Sequence, residues 1–571
     1  MANNESGDQY DVVVLGGGLA ALTLGLQLKK ERPETSILIA EKREGPAPEA
    51  AFKVGESTVE LSANYFGEVV GMKDHIEADQ LHKIGLRYFF PAGDNTDLAK
   101  RVEWGVPFKP PVPSYQLDRG RFENELAARN EAAGVEVRGG TRVQDVELAP
   151  DGHVVTLSKG DETTTVSGRW VVDAAGRAFI LKRKLGLEED NGHNVNSAWF
   201  RLAGGIDVED WVPDSDEEWY APMTERGLRR LSTNHLCGQG YWVWLIPLSS
   251  GAISIGIVAE ERFHPFEEMD TFDRALDWLR RHEPQLADAV EPRRDDVEDF
   301  LRVKDFSYGC KQVFSGADRW ALTGEAGAFL DPFYSPGSDF IAMSNTFITD
   351  LIVRDLGGEG VDERAKAHEE LFLRLYREAL RWYEGQYEFW GDPQVMIAKV
   401  CSNNIIYWAT HALLFIHSKL ADPDYMAEVL PDLERFWAIN ERLEPMFRDW
   451  FAIGAREYHR AFVAPTGFPS MGLRHVELAA GFDDDALKAK IAENADLYEA
   501  VAVLIFHKAA ESLPEGGPDP DTKINPYAIS LKPERWEEDG LFDGSGLTLA
   551  EANERAPGIE NLWLDRVAIP A

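Results

Sequence analysis

The N-terminal part of the chain alternates between short apolar runs and a helical pattern. Val12 to Leu15 are all apolar, as in a strand that is covered on both faces. A helical pattern follows through Lys30, and a second apolar run, SILIA, leads to Glu41. The pattern predicts a strand, a helix and a second strand, which is how a Rossmann-like α/β fold begins.

A glycine-rich turn joins the first strand to the helix. Gly16, Gly18 and Ala21 have the GxGxxA spacing, and Glu41 follows Ala21 by twenty residues. The glycines allow a tight turn and close approach to a pyrophosphate, and the helix N-terminus supplies N–H donors. Glu41 can accept a bond from a ribose 2′-OH and would repel a 2′-phosphate. The fingerprint therefore predicts FAD or NAD rather than NADP.

Beyond residue 350 the pattern becomes helical. Apolar residues are spaced three and four apart in segments 371–390, 403–420 and 432–463, which predicts long helices. Aromatic residues are dense there, and we expect most of them to pack between helices. The last hundred or so residues are acidic and rich in Pro and Gly near 512–526, and we expect a loosely packed appendage that ends in an acidic tail.

Composition excludes several classes of protein. The 571 residues carry a net charge of −39, which would repel a nucleic-acid backbone. The three cysteines are far apart and form no CxxC motif, so we expect no zinc site and no disulfide framework. The sequence shows neither a secretory signal nor an apolar run long enough to span a bilayer, and we expect a cytoplasmic protein.

Three further segments distinguish FAD from NAD. An Asp-Arg pair at Arg119 starts a helical pattern, a buried strand ends in DAAGR at 173–177, and a third strand leads to Gly324-Glu325 and then to Asp331-Pro332. In this order the segments resemble the FAD fold of aromatic hydroxylases. The resemblance implies that Arg119 lies near the FAD phosphates and Glu325, usually Asp, binds the ribityl chain. It also implies that Asp331 lies beside the isoalloxazine.

No second dinucleotide fingerprint follows in the sequence. The flavin is therefore either reduced by NAD(P)H that docks transiently or supplied in reduced form by a separate flavin reductase.

A W-x-W-x-I-P string at Trp242, Trp244 and Pro247 narrows the family. It resembles the signature of flavin-dependent halogenases, and the next strand, 252–258, resembles the branch that acts on phenolic and other electron-rich aromatic compounds. Because side chains alternate along a strand, the two indoles share one face, and the resemblance implies that they line the flavin side. Paired tryptophans on a strand are also common in ordinary cores.

A loop and a lysine carry the rest of the resemblance. The loop Gly55-Glu56-Ser57-Thr58 is similar to the strap that connects the flavin and substrate sites in halogenases, and Lys83 stands where their lysine does. The family chemistry implies that reduced flavin and O₂ form a flavin hydroperoxide, that halide is converted to hypohalous acid, and that Lys83 relays this acid to the arene. Burial would lower the lysine pKa from about 10.4 and keep its charge switchable. Glu56 and His82 are candidates to assist it.

One residue departs from the tryptophan-specific enzymes. They have a glutamate where this chain has Tyr334. The departure disfavours free tryptophan and favours a phenol-, pyrrole- or resorcinol-like substrate.

The stretch SPGSD predicts a helix start and an anion site. Ser335 is expected as the N-cap and Pro336 at the first helical position, so that the amides of Gly337, Ser338 and Asp339 point outward. These amides suit the negative charge of a reduced flavin. In the family, halide is held by two consecutive amides, one of them at the Pro336 position, where proline has none. We therefore expect halide at Gly337 and Ser338, and bound weakly.

The predicted organisation is an α/β FAD-binding module over residues 1–350, with a sheet insertion at about 191–300, and a helical region over 351–571 that covers the substrate cavity. The predicted activity is that of a halogenase dependent on FADH₂, O₂ and halide. Alternatives on the same FAD core are a hydroxylating or epoxidising monooxygenase, a reductase of the prenyl-reductase type and a flavin-binding protein without turnover. The substrate could arrive free or on a carrier protein docked at the basic segment 225–231.

Overall fold

The computed structural model describes residues 8–49, 54–454 and 458–566. The first residues of the chain, where a secretory signal would stand, lie largely outside this range. The strands are β1 (Gln9–Leu15), β2 (Ile37–Ala40), β3 (Leu81–Lys83), β4 (Leu86–Phe89), β5 (Val102–Trp104), β6 (Ser114–Gln116), β7 (Glu136–Arg138), β8 (Arg142–Glu147), β9 (His153–Lys159), β10 (Glu162–Asp173), β11 (Glu188–Glu189), β12 (Val195–Leu202), β13 (Thr233–Gly238), β14 (Tyr241–Pro247), β15 (Ile253–Glu260), β16 (Val297–Val303), β17 (Gly309–Cys310), β18 (Phe314–Ser315), β19 (Trp320–Leu322) and β20 (Ala461–Val463).

The helices are concentrated after residue 336. They are α1 (Leu19–Glu31), α2 (Glu60–Asn64), α3 (Lys73–Asp79), α4 (Arg119–Ala132), α5 (Ile180–Lys184), α6 (Glu217–Tyr220), α7 (Phe272–His282), α8 (Pro284–Val290), α9 (Gly337–Leu356), α10 (Asp362–Arg381), α11 (Pro393–Ala409), α12 (His411–Ile416), α13 (Pro423–Ala452), α14 (Pro469–Glu477), α15 (Asp484–Ala510) and α16 (Leu549–Arg555).

The first sheet is the Rossmann-like core. Its strand order is β18-β19-β10-β1-β2-β7, and β9 and β8 extend it from β10. β1 is parallel to β2 and β10, and its residues Val12–Leu15 are fully buried in one hydrophobic cluster with residues of α1, α9, β9 and β10. α1 packs against α4 and α9. The predicted α/β fold class is confirmed.

The second sheet has the order β16-β12-β15-β14-β13-β4-β5-β20. β12 to β16 come from the segment in which the sequence predicted a sheet. β4 and β5 precede that segment, and β20 comes from the C-terminal half. Three separate parts of the chain therefore build the sheet that carries the tryptophan pair.

The C-terminal region departs from the sequence-based expectation in two places. Residues 461–463 form β20, parallel to β5, where a helix was expected. The last hundred residues do not form a loosely packed appendage, because the middle of α15 and the side chains of Ile524, Leu541 and Leu562 are fully buried in one hydrophobic cluster with α11 and α13. The apolar spacing of α15 lets this helix pack into the core, and the Pro- and Gly-rich segment that follows it packs there as well. In the described ranges no helix has the length and apolarity needed to cross a membrane.

Gly256 of β15 leaves room for an indole, which gives a test of this packing. A Cβ at Gly256 would lie 2.1 Å from Cζ2 of Trp244, its cross-strand neighbour on β14. Because Trp244 is buried, Gly256→Ala should lower the free energy of unfolding by about 1–3 kcal/mol, as overpacking does. The measurement is urea denaturation. Gly360→Ala is the control, because a Cβ there meets no atom within 4 Å; equal midpoints for the two variants would contradict the packing described.

Candidate functional site

A cavity of about 890 Å³ lies where the first sheet meets the second. The glycine-rich turn, the strap and the Asp-Pro turn form its walls. Those of its lining residues that the sequence singled out are Gly16, Gly18, Glu41, Glu56, Ser57, Arg119, Trp242, Trp244, Gly324, Glu325, Asp331, Gly337 and Ser338. Four residues that were expected in this site do not line the cavity: Ala21, Thr58, Pro247 and Tyr334.

The glycine turn is shaped for close approach. Gly16 has φ +97°, and a Cβ there would lie 2.7 Å from the carbonyl oxygen of Ala174. A Cβ at Gly18 would meet no atom within 4 Å, so its backbone faces the open cavity. Ala21 is fully buried in α1, where a small residue allows the helix to pack closely. The turn is a cradle of the kind that holds a pyrophosphate.

Glu41 ends β2 at the edge of this cradle. Its carboxylate accepts hydrogen bonds from the backbone amides of Gly17 and Arg43, each at 2.7 Å. Each carboxylate oxygen has a second lone pair, so Glu41 can still accept a bond from a ribose hydroxyl. This geometry suits the role that the sequence predicted.

Arg119 and Glu325 supply charges of opposite sign. Arg119 donates to the carbonyl oxygen of Val54 at 2.6 Å and to Glu123 at 2.6 Å, while its buried Nε has no partner among the described residues. Glu325 accepts from Arg177 at 2.7 Å. An unpaired buried donor next to a glycine cradle fits a phosphate-bearing cofactor, and the residues present therefore fit FAD.

The turn before α9 corrects the expected helix cap. Ser335 has φ +60°, and its hydroxyl donates to Ser57 Oγ at 3.0 Å instead of capping the helix. Its amide donates to the carbonyl oxygen of Pro332 at 2.8 Å. α9 begins at Gly337, and the amides of its first turn have no partner within the helix. Gly337 and Ser338 therefore offer donors to the cavity, whereas Ser335 and Pro336 do not.

The Trp motif is tied to the Asp-Pro turn. Trp242 Nε1 donates to the hydroxyl of Tyr387 at 3.0 Å, and that hydroxyl donates to Asp331. His193 Nε2 also lies 3.0 Å from Asp331. The Asp331 carboxylate therefore connects the Asp-Pro turn to Tyr387 and His193.

Trp244 lies beside Trp242 with ring centroids 5.7 Å apart, and its indole donates to Ser254 at 3.0 Å. The two indoles line the cavity together, as their alternation along β14 predicts. Pro247 ends β14 opposite Ile253 and lies away from both cavities.

The strap is held by one hydroxyl group. Ser57 Oγ accepts from Lys83 Nζ at 2.8 Å and lies 2.8 Å from Thr233 Oγ1. The hydroxyl of Thr58 donates to the carbonyl oxygen of Tyr115 and accepts from the amide of the same residue. The carbonyl oxygen of Thr58 accepts from Lys83 at 2.6 Å. Burial lowers the pKa of Lys83 to about 7. Two of the three donor positions of the amine are thus used by the strap.

Lys83 lines a second cavity, of about 380 Å³. Pro336 and Phe340 line both cavities and form a shared wall. Tyr334 lines the smaller cavity, where its hydroxyl accepts from Asn403 at 3.2 Å. The lysine therefore lies between the two spaces, on the side of the smaller one.

Two carboxylates line the smaller cavity with Lys83. Burial raises the pKa of Asp339 to about 7, although Tyr407 and the amide of Ser62 each donate to it at 2.9 Å. Burial also opposes ionisation of Glu60, but hydrogen bonds from His475 and Trp408 outweigh it and lower the Glu60 pKa.

The two carboxylates therefore differ: Glu60 is ionised at neutral pH, whereas Asp339 gains and loses a proton near pH 7, as in many acid–base sites. Sequence reasoning missed Glu60, and it considered only the amide of Asp339. Glu60 follows the strap by two positions, which was the available signal.

The expected helpers of Lys83 lie elsewhere. Glu56 forms a buried ion pair with Arg201, which is also paired with Asp299. That pairing removes Glu56 as a candidate assistant. His82 packs on Tyr115 with ring centroids 4.8 Å apart and does not line the cavity of Lys83.

The segment 225–231 is not a free basic patch. Arg229 is fully buried and paired with Glu103, Arg226 is paired with Asp214 at 2.6 Å, and Arg230 lies 3.8 Å from Asp207. Each of the three arginines of this segment therefore has a carboxylate partner within 4 Å.

The chain resembles known halogenases in sequence. A family model described as tryptophan halogenase matches residues 107–357. A flavin-dependent halogenase of Dictyostelium discoideum is 28% identical over 410 residues, which cover 65% of this chain and 64% of that protein. A 1H-pyrrole-2-carbonyl-[peptidyl-carrier protein] chlorinase of Pseudomonas fluorescens is 25% identical over 66% of this chain and 83% of that one.

Solved structures share the fold. The halogenase PltM, in complex with phloroglucinol and FAD, has a TM-score of 0.60 at 17% identity, over 88% of this chain and 97% of that one. The family match and the named relatives show that this chain is similar in sequence to flavin-dependent halogenases, and the solved structures show that it shares their fold.

Proposed function

We propose that this protein halogenates an electron-rich aromatic small molecule, using FADH₂, O₂ and halide. The observation that carries the proposal is the position of Lys83, which is buried between a cavity that fits FAD and a second cavity of substrate size. When bound, the reduced flavin would give two electrons to O₂ and reduce it to the peroxide level, which is the oxidant that converts halide to hypohalous acid. The chain spans 64% of the length of the Dictyostelium halogenase that it matches.

Lys83 is the residue that would receive hypohalous acid. Its amine keeps one position beyond its bonds to Ser57 and Thr58, and that position is available to the smaller cavity. With a pKa of about 7, the ammonium form can donate a proton to the hypohalous oxygen and make it a better leaving group. The carbon–halogen bond then forms as the halogen–oxygen bond breaks, and the oxygen leaves as water.

Asp339 is placed to take the ring proton. Its pKa of about 7 gives a mixed protonation state at neutral pH, which suits a general base. It lines the same cavity as Lys83, and its oxygens are oriented by Tyr407 and Ser62. A proton passed from Asp339 back to Lys83 restores both groups.

The substrate class follows from what lines the smaller cavity. Lys83 is the sole Lys or Arg among its described lining residues, and it is already engaged by the strap. A free amino acid would bring a carboxylate without a partner, so free tryptophan is disfavoured. Hydroxyl groups, as in the phloroglucinol bound by PltM, find acceptors in Glu60 and Asp339.

The electrons would come from a flavin reductase, since the sequence has no second dinucleotide fingerprint. The three cysteines are buried and free, in keeping with the cytoplasmic setting expected from the sequence.

Halogenation itself gives the first test. With reduced flavin, O₂, bromide or chloride and a panel of phenols, Lys83→Met should lower the yield of halogenated product by about 10²–10⁴-fold, because the proton donor is lost. The variant should keep its bound FAD absorbance. Lys100→Met, at a side chain that is 73% exposed, is the matched control.

Other outcomes of that assay identify the alternatives. Hydroxylated product that forms without halide would identify a monooxygenase. Oxidation of NADH without an added reductase would also favour it, and redox-silent FAD would leave a binding protein.

The pH profile tests the two titrating groups. The productive state needs Lys83 protonated and Asp339 ionised, and both pKa values are about 7. The rate should therefore be highest near pH 7 and fall on both sides. Asp339→Asn should remove the acidic limb and keep the alkaline one. A rate that rises steadily to pH 9 would contradict the role of Lys83.

Stability gives a control that needs no turnover. The folded pKa of Lys83 lies below its usual 10.5, so above pH 7 the unfolded chain binds the proton more tightly than the folded one. The unfolding free energy of the wild type should thus rise relative to Lys83→Met, by up to about 1.4 kcal/mol per pH unit between pH 7 and 10.

Halide affinity tests the helix start. Since neither Ser335 nor Pro336 has a free amide, we expect a halide KM in the tens of millimolar. Pro336→Ala adds one donor at this position and should tighten halide by about ten- to hundredfold. Pro284→Ala, at the first position of α8, lines neither cavity and is the control. A wild-type KM in the micromolar range would contradict the expectation.

A further inference from the structure

We infer that the substrate is an uncharged hydroxyarene with an apolar side chain, held without a carrier protein. This inference rests on the proposed function, because it takes the smaller cavity as the site of the arene. Four observations carry it: the size of the cavity, its polar end, its apolar wall and its mouth.

The cavity is larger than a single ring needs. Its volume is about 380 Å³, whereas an engineered apolar cavity of about 150 Å³ binds benzene. A phenol or resorcinol alone would therefore leave more than half of the space unfilled. The remaining volume can accept a chain of several carbon atoms.

The polar groups that can recognise a ring lie together. Lys83 interacts electrostatically with both Glu60 and Asp339, so the three groups share one end of the cavity. Tyr407 is bonded to Asp339, and its ring lies 5.1 Å from that of His411. Two carboxylates beside one amine suit a ring whose substituents donate hydrogen bonds.

Most of the remaining wall is formed by large apolar side chains. The ring of Trp382 lies next to that of His411, with centroids 6.4 Å apart. The large or aliphatic side chains that line this part are at most 8% exposed: Trp104, Met343, Leu375, Ala379, Trp382 and Trp437. The carboxylate in this part belongs to Glu378, which is paired with Arg374 at 3.1 Å and with Arg381 at 3.7 Å. An apolar chain placed here gains free energy by leaving water, although Trp382 Nε1 and Asn403 Oδ1, which are buried without a hydrogen-bond partner among the described residues, stay unpaired.

The same residues exclude an anionic substrate. Burial lowers the pKa of His411 to about 4, so this ring is neutral at pH 7. His475 is occupied by Glu60. A carboxylate on the arene would meet two acidic side chains and no unpaired cation among the described lining residues.

The mouth is apolar as well. Val476 of α14 lines the cavity and is 49% exposed, and Leu473, one turn earlier, is 50% exposed. Large aliphatic side chains exposed at an opening suit the entry of a lipophilic small molecule. The arginines of segment 225–231, where the sequence offered a docking site for a carrier protein, are each paired with a carboxylate.

Binding to the holoenzyme, with oxidised FAD and no halide, tests the inference by calorimetry. The probes are resorcinol, its 5-methyl, 5-propyl and 5-pentyl derivatives, 3,5-dihydroxybenzoate and a pantetheine thioester of that acid. The Kd should fall about fourfold for each added methylene, so that the pentyl compound binds on the order of a hundredfold more tightly than the methyl compound. The benzoate should bind at least tenfold more weakly than resorcinol.

Variants of α10 test where the alkyl chain of the ligand lies. Ala379→Phe fills the apolar part and should weaken the pentyl compound at least tenfold more than it weakens resorcinol. Ala379→Leu is the milder form if the larger change prevents folding. Leu380→Phe, at the next position of α10, does not line the cavity and should leave the series unchanged.

The outcomes separate this inference from the proposed function. Equal affinities along the alkyl series, or tighter binding of the benzoate or the thioester, would overturn the inference even if phenols are halogenated. If Kd falls along the alkyl series but no halogenated product forms, the inference about the ligand stands and the proposed reaction is overturned.

Discussion

The arrangement of the two cavities depends on the hydroxyl group of Ser57. It accepts from Lys83, lies beside Thr233 and receives a bond from Ser335, so it joins the strap to β3, to β13 and to the turn before α9. These elements come from three distant parts of the chain. A hydroxyl can accept two hydrogen bonds and donate one, and Ser57 uses all three. The lysine is thereby held on one side of the strap and the FAD cavity on the other.

The second constraint is the burial of Lys83. Removing an ammonium from water is unfavourable, and the fold compensates for this with two acceptors and two nearby carboxylates. The compensation is partial, which is why the pKa falls to about 7 and does not stay near its usual value. Full pairing with one carboxylate would have fixed the charge. The incomplete pairing keeps the amine able to gain and lose a proton near neutral pH, and Asp339 titrates in the same range for the same reason.

The sequence predicted those features that depend on local chemistry. The glycine turn, the pairing of Trp242 with Trp244 and the fold class follow from spacing along one or two elements, and the structure has them. Glu60 and Asp339 lie 279 positions apart, and their partners His475 and Tyr407 come from a third region, so spacing could not place them in one cavity. Their distances in space depend on how the helices after residue 350 pack. The Ser335 cap was wrong because Ser57, far away in sequence, takes its hydroxyl.

The first turn of α9 explains how one short segment serves both cavities. Successive residues of an α-helix point about 100° apart, so neighbouring side chains can face different spaces. Ser338 lines the larger cavity and Asp339 the smaller one, while Pro336 and Phe340 form the wall between them. In the proposed function, the backbone amides at the helix start would meet the negative cofactor and the side chain of Asp339 would meet the substrate. Proline suits this wall because it has a rigid ring and no donor that would need a partner. In the proposed function, Pro336 would therefore both withhold one halide contact and keep the two spaces apart.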